Sequence, residues 1–268
     1  MSAQMHPRRK TVFLMYHELG RPGLAAQQSA ASPYLVAADV FRMQMRAIRS
    51  LGLRGLSVSE AMRYPEEPSV CITFDDGYAS DWTAAAPILR EFGFHATAYV
   101  TAGFIGTPGY LTADQLRELD ASGVEIGCHS MTHPDFTVLP DAELPRELGA
   151  ARVQIEAVLG HGVEHFSIPH GRYDQRTLAE AGRAGFRTVA NSRPHANGSA
   201  TGPFELGRVA IGRDVALVDF VDVCGGRTLW RKQLADGARR NLRGLFGACS
   251  ALRAVAMPFC CPPPTPRT

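Results

Sequence analysis

The sequence predicts an α/β fold: a parallel sheet curled into a closed or nearly closed barrel, with helices outside it. Three observations carry this expectation. Short apolar runs of strand length alternate with amphipathic segments of helix length about seven times. Polar and titratable residues stand directly after four of the runs, at His17, Asp75-Asp76, His129 and Pro169-His170, and strand C-termini are where a parallel barrel gathers its chemistry. A chain of 268 residues with 45% hydrophobic and 20% charged content suits an α/β core, not a fibrous or disordered protein.

In chain order, Thr11 to Tyr16 is a β-branched and aromatic run, followed by a Gly/Pro/Ala/Ser-rich loop to Pro33. Asp39 to Leu51 spaces Val40, Phe41, Met43, Met45 and Ile48 as a helix does, and Gly52 stops it. Ser57-Val-Ser-Glu60 is a capping-box pattern for a short helix, and Ser69 to Phe74 is the next strand. Asp81 is placed to cap a helix that runs to Phe92 and stops at Gly93. His95 to Val100 reads as a strand. Thr112-Ala-Asp-Gln115 opens a helix closed by Gly123, and Val124 to Cys128 is a central strand. Asp141 to Leu159 reads as one longer helix with Pro145 near its first turn, where a missing N–H costs least. Val163–Ile168, Phe186–Ala190 and Gly207–Gly212 are the remaining strands, with helices at Gln175–Ala184 and Val215–Cys224.

Several classes are excluded. A net charge of +2 is too weak to make nucleic acid the main partner. No apolar run approaches the ~18–20 residues of a membrane span. The six residues Thr11–Tyr16 are too short for a signal-peptide core, so a cytoplasmic start is expected. The six cysteines show no C-x-x-C spacing, and Cys71 and Cys128 lie in apolar runs. Buried free thiols are expected, in preference to a disulfide framework or a thiolate metal site.

The chemistry gathers at two stretches. Asp75 and Asp76 end a buried strand side by side, where like charges repel and lose hydration unless a cation sits beside them. His129-Ser-Met-Thr-His133 sets two imidazoles four residues apart, a bite suited to one metal ion, and Pro134 makes it a turn at a strand end.

With these residues quoted, the chain resembles the polysaccharide deacetylase family (the NodB-homology domain, carbohydrate esterase family four). Thr73-Phe74-Asp75-Asp76-Gly77 matches its first motif and His129-Ser130-x-x-His133 its second. The resemblance covers roughly residues 11 to 215 and implies a distorted (β/α)7-type, TIM-barrel-like fold. It implies Asp76, His129 and His133 as the metal triad and Asp75 as the catalytic base. Zinc is the default for this ligand set, which also suits cobalt, nickel or manganese. The usual Leu-x-His acid motif near the C-terminus is missing. Met15-Tyr16-His17 matches a branch that carries the acid near the N-terminus, so His17 is the expected general acid. In the third motif, Phe166-Ser167-Ile168-Pro169-His170-Gly171, Ser167 stands where many relatives have an arginine that orients the catalytic aspartate. Arg208, opening a strand, is the preferred substitute, with Arg172 the other candidate. Pro169 and His170 are assigned to substrate and oxyanion: the His170 N–H to the oxyanion, or its ring to the sugar subsite.

The expected organisation is a flexible N-terminus (1–10), a polysaccharide deacetylase-like catalytic domain (11–225), a basic helical extension (226–257) and a Pro-rich disordered tail (258–268). The stretch 229–257 interleaves arginines with leucines. It reads either as a helix packed on the barrel with a solvated basic face, or as a contact to the inner face of the membrane. The function expected is metal-dependent removal of N-acetyl groups from an N-acetylated sugar or polysaccharide. The alternatives are a deacylase or amidase of another small amide and a glycan-binding pseudoenzyme. His161, His165 and His195 are read as surface or loop residues and Trp82 as a packing residue. Tyr110 and Phe104 are candidates for a substrate wall.

Overall fold

The computed structural model describes residues 10–20 and 32–229. The expectations for the extension from 230 onward, the Pro-rich tail, residues 1–9 and Cys249, Cys260 and Cys261 lie outside the described residues. In chain order the elements are β1 (Thr11–Tyr16), β2 (Leu19–Gly20), β3 (Val36–Ala37), α1 (Ala38–Ser50), β4 (Arg54–Leu56), α2 (Val58–Arg63), β5 (Ser69–Phe74), α3 (Ala86–Phe92), β6 (Ala96–Val100) and α4 (Ala113–Ala121). Then come β7 (Val124–Cys128), α5 (Ala151–Leu159), β8 (His165–Ser167), α6 (Gln175–Arg183), β9 (Thr188–Ala190), β10 (Ala196–Asn197), β11 (Val209–Ala210) and α7 (Leu217–Cys224).

The main sheet runs β10-β1-β5-β6-β7-β8-β9, with β11 beside β1 and β4 beside β5. Its ladders are parallel except β1–β10. β4 is a wedge: it pairs with Ser69–Cys71, so β5 meets β6 only at Thr73 and Phe74. The curl does not close through a regular ladder, so the barrel is open and distorted, as the nearly closed form of the expectation allows. From β11 to β9 there is the single bridge between Ala190 and Leu206. The strand expected over Gly207–Gly212 shrinks to Val209–Ala210 for a local reason. The Asn197 side chain accepts from the Gly207 N–H at 2.9 Å and donates to its carbonyl at 2.8 Å, replacing the ladder there.

Strand residues alternate between two cores. Val12, Leu14, Tyr16, Val70, Ile72 and Phe74 face the helices, where α1 meets them with Phe41, Met45 and Ile48. Phe13, Cys71, Tyr99 and Ala190 face inward, with Leu206, and Leu56, Val58 and Ala61 close the N-terminal end of the barrel. Burial on both faces is why these strands read as continuous apolar runs. The floor is polar. Glu125 accepts from Thr97 Oγ1 at 2.6 Å and the Ser59 N–H at 3.2 Å, and Thr97 Oγ1 accepts from the Val58 N–H at 2.8 Å. His165, expected to be a surface or loop residue, opens β8 and is buried in this floor, 2.8 Å from Ser59 Oγ and 3.2 Å from Glu125.

Both capping boxes form as expected. Two helices carry a wide π-type turn within them. The first begins at Ala79, two residues before Asp81, and Pro87, which withholds an N–H, widens Asp81–Ala85 before the regular α3 at Ala86. Asp81 therefore caps nothing: its carboxyl is buried without a hydrogen-bond partner, and burial pushes its pKa well up. The span Asp141–Leu159 is helical throughout, as expected: a 3-10 turn at Asp141–Glu143 passes through Leu144 and Pro145 in right-handed helical backbone and a wide π-type turn at Arg146–Ala150 into α5. Cys71, Cys128 and Cys224 are buried free thiols. No helix among the described residues is long and apolar enough to cross a membrane.

Candidate active site

The inner core fills only the N-terminal half of the barrel, and buried polar residues take over toward the strand C-termini. There β5 delivers Asp75 and Asp76, β7 delivers His129, β8 ends at Ser167 and Pro169-His170 follows. Four non-glycine residues among those described adopt left-handed backbone, Asp76 (φ 79°), Ser130 (φ 71°), His133 (φ 61°) and His170 (φ 58°), and all four lie here. Such conformations cost about 1–3 kcal/mol each and persist where surrounding contacts impose them. One such contact is Glu147, which the sequence reading missed. It is 1% exposed, and its carboxylate accepts from the Met131 and Thr132 N–H groups and the Thr132 hydroxyl, shaping the turn between the two histidines. Its signal was an acid between Leu144 and Leu148 on the buried side of a helical stretch.

Asp76, His129 and His133 place their donor atoms within 4.8 Å of one another. Asp76 Oδ1 lies 3.4 Å from His129 Nε2 and 3.2 Å from His133 Nε2, yet it is buried and accepts no hydrogen bond. The Ser167 carbonyl can only accept, so His129 Nδ1 carries a hydrogen (2.8 Å) and Nε2 turns a lone pair toward Asp76. Burial pushes the His129 pKa down to about 4, against the pull of Asp75 and Asp76, which keeps the ring neutral. At His133 burial alone would also lower the pKa, but Asp76 beside it lifts it above the ordinary value. One carboxylate and two imidazoles aimed at one point fit a divalent cation and leave coordination positions over.

Asp75 is separate in role. It is fully enclosed, and Arg208 grips it with two bonds, 2.6 Å to Oδ1 and 2.8 Å to Oδ2. Burial would raise the Asp75 pKa, but Arg208 and then His129 outweigh it and hold the carboxyl well below the usual range. Ser167 accepts from Arg208 at 2.6 Å, so the serine at the motif position props an arginine that comes from the residue just before β11. Arg172 does not reach Asp75. It is exposed and pairs with Asp135 at 2.6 Å, because the chain turns outward after His170-Gly171.

His17 stacks on Tyr34 with centroids 4.6 Å apart, and its Nδ1 is buried without a partner. Burial lowers its pKa, and the nearby Asp75 and Asp76 charges oppose that. Pro169 is buried, while the exposed His170 packs its ring edge-on against His133 at 4.5 Å. Tyr78, two residues past Asp76, stacks on Tyr110, which also meets Phe104. Trp82 packs partly buried against the outer core. His161 is exposed and His195 half-buried.

Comparison with known proteins agrees with this arrangement. Residues 63–189 match the family model described as polysaccharide deacetylase. YxkH of Bacillus subtilis, by its name a candidate polysaccharide deacetylase, is 27% identical over 208 residues, 75% of this chain and 71% of its own length. A chitooligosaccharide deacetylase of Sinorhizobium fredii is 31% identical over 124 residues, 46% of this chain and 56% of that protein. Among solved structures, the Streptococcus pyogenes deacetylase PplD in complex with acetate superposes with a TM-score of 0.74. The superposition covers 81% of this chain and 99% of that one at 24% identity, which speaks for the fold. The matched region, just under half of the chain, carries the aspartate pair, both histidines and the turn after β8, and over that stretch the chain is similar to the polysaccharide deacetylase family.

Proposed function

We propose that the chain is a metal-dependent hydrolase that removes N-acetyl groups from an N-acetylated sugar or polysaccharide. The observation that carries this is the division of labour at one strand end. Asp76 faces two histidine nitrogens with an unsatisfied oxygen, and its neighbour Asp75 is fixed away from them by Arg208. A divalent ion held by Asp76, His129 and His133, zinc by default, would supply Lewis acidity toward a water and the acyl carbonyl.

The protein's own groups handle the protons. Asp75, kept anionic by Arg208, takes a proton from the attacking water at Oδ2, which lies 3.9 Å from His129 Nε2. His17 gives a proton to the amide nitrogen as the C–N bond breaks. A lowered imidazole pKa makes the protonated ring a readier donor. The products are a free amine and acetate, and transfer of the proton gained by Asp75 back to His17 through solvent resets the site. The His170 N–H, in the turn after Pro169, is the proposed oxyanion donor. The pseudoenzyme alternative drew on Ser167 standing in the arginine's place, and Arg208 on Asp75 removes that motive.

The test is acetate release by zinc-loaded protein from N-acetylglucosamine oligomers, beside a panel of small amides. Asp75→Asn and His17→Ala should each lower kcat by about 100-fold or more. Parental turnover in both variants, or no release from any glycan, would sink this reading.

A further inference from the structure

The arginine that grips Asp75 is itself held on its edges and on one face. All five N–H donors of a guanidinium lie in its plane, and Arg208 spends every one. Nε donates to the Asn191 carbonyl at 3.2 Å. One terminal nitrogen donates to Thr73 Oγ1 at 3.2 Å and Asp75 Oδ1 at 2.6 Å, and the other to Asp75 Oδ2 at 2.8 Å and Ser167 Oγ at 2.6 Å. These bonds occupy the edges and leave the two faces of the guanidinium to other contacts. Beneath the plane lies Tyr99, with the Arg208 Cζ 5.2 Å from its ring centroid. Both side chains are completely buried, where attraction between cation and ring is strongest. The Tyr99 hydroxyl has no hydrogen-bond partner, so the ring alone can be what matters here. The ring is held in turn from the next strand. A Cβ on Gly127 would come within 2.5 Å of the Tyr99 ring, so only glycine at this register of β7 lets the ring lie where it does.

We infer that Tyr99 is a positioning residue for the deacetylation site: seated on Gly127, its ring sets the height and tilt of the Arg208 guanidinium, and through it the aim of Asp75. This rests on the proposed hydrolase reading for its kinetic consequence, and on the Gly127–Tyr99–Arg208–Asp75 stack alone for its structural one.

The test has two readouts. The first is NMR of the arginine side chains in metal-free protein, with Arg208 assigned by the loss of its signal in Arg208→Lys. The guanidinium protons of Arg208 should exchange slowly and be displaced by the ring current. The displacement should survive Tyr99→Phe and vanish in Tyr99→Leu. The second is steady-state kinetics on a glycan that the parent deacetylates. Tyr99→Phe should keep kcat within about twofold, since it retains the ring. Tyr99→Leu should lower kcat about 10- to 100-fold with KM and zinc content unchanged, the scale of effect expected when a catalytic group is misplaced by a fraction of an ångström to an ångström. Gly127→Ala, which leaves the ring but pushes it, should shift kcat in the same direction and decides the matter if the leucine variant does not fold. An undisplaced Arg208 signal in the parent overturns the inference. So does a folded leucine or alanine variant with kcat within twofold of the parent, or a phenylalanine variant that falls as far as the leucine one. A parent that releases no acetate defeats the proposed function instead, and leaves the NMR test to decide the stack.

Discussion

Arg208 and Asp75 form a buried pair in which neither partner is tolerable alone. Removing the arginine leaves a carboxylate in a site from which water is excluded, so Arg208→Ala is expected to cost about 3–5 kcal/mol, read from urea unfolding at pH 7. The sign with pH follows from the lowered Asp75 pKa. The pair's contribution is present above the unfolded carboxyl value of ~3.9 and is lost as pH falls below it, so the variant's deficit should shrink in acid. Adjacent acids at a strand end and H-x-x-x-H before proline were legible because few other arrangements tolerate them. Arg208 was legible because it stands near the start of a run expected to be a strand, although the strand itself begins one residue later at Val209. Arg172 was a wrong candidate for the same reason in reverse, since nearness in sequence to His170 says nothing about a loop that turns outward to Asp135. Glu147 was missed because one acid in an amphipathic stretch looks like solvated surface until the turn it serves is visible.

Among the elements, α2 is the plug of the barrel. Its first amides donate into Thr97 and Glu125, so the helix N-terminus is anchored to β6 and β7. Burial would raise the Glu125 pKa, but His165 and then Ser59 and Thr97 outweigh it and bring it to about 2. Glu125→Gln is expected to lower stability by about 1–3 kcal/mol at pH 7. Because the folded-state pKa is lowered, that difference should fade as pH drops from about 4.5 toward 2, which unfolding midpoints across that range would show. Most element boundaries were readable from caps and apolar period. Two departures share one cause, a side chain or proline competing with backbone hydrogen bonds: Pro87 widens the turn at Asp81, and Asn197 takes Gly207 out of its strand. His165 differs for another reason: it lies within the expected strand Val163–Ile168, and an imidazole there reads as exposed until its partners Ser59 and Glu125 are visible.

For the whole molecule, the ligand set is built by folding, so an ion that binds it stabilises the fold. At free zinc 100 times its Kd, the gain is about 2.7 kcal/mol, or a rise in Tm of about 5–10 °C for a domain this size, reversed by chelator. The rise should diminish as pH falls through the raised His133 pKa, because proton and ion compete for one imidazole. His129 joins that competition only near pH 4. Thermal melts at pH 8 and pH 5.5, with and without zinc, measure both effects. Strand–helix alternation foretold a curled, nearly closed sheet, and the gap that remains is local: one short segment pairs with β1 at Val209 and Ala210 and meets β9 only at Leu206. The cluster of left-handed residues bears finally on how this sequence can vary. Asp76 and His133 answer to two requirements at once, a donor atom and a backbone that β-branched side chains cannot adopt. Ser130 contributes no metal donor yet shares the second requirement, so drift at that position is confined to glycine, asparagine, aspartate and their like. The neighbourhood of the two histidines is thereby narrowed as strictly by conformation as the histidines are by chemistry.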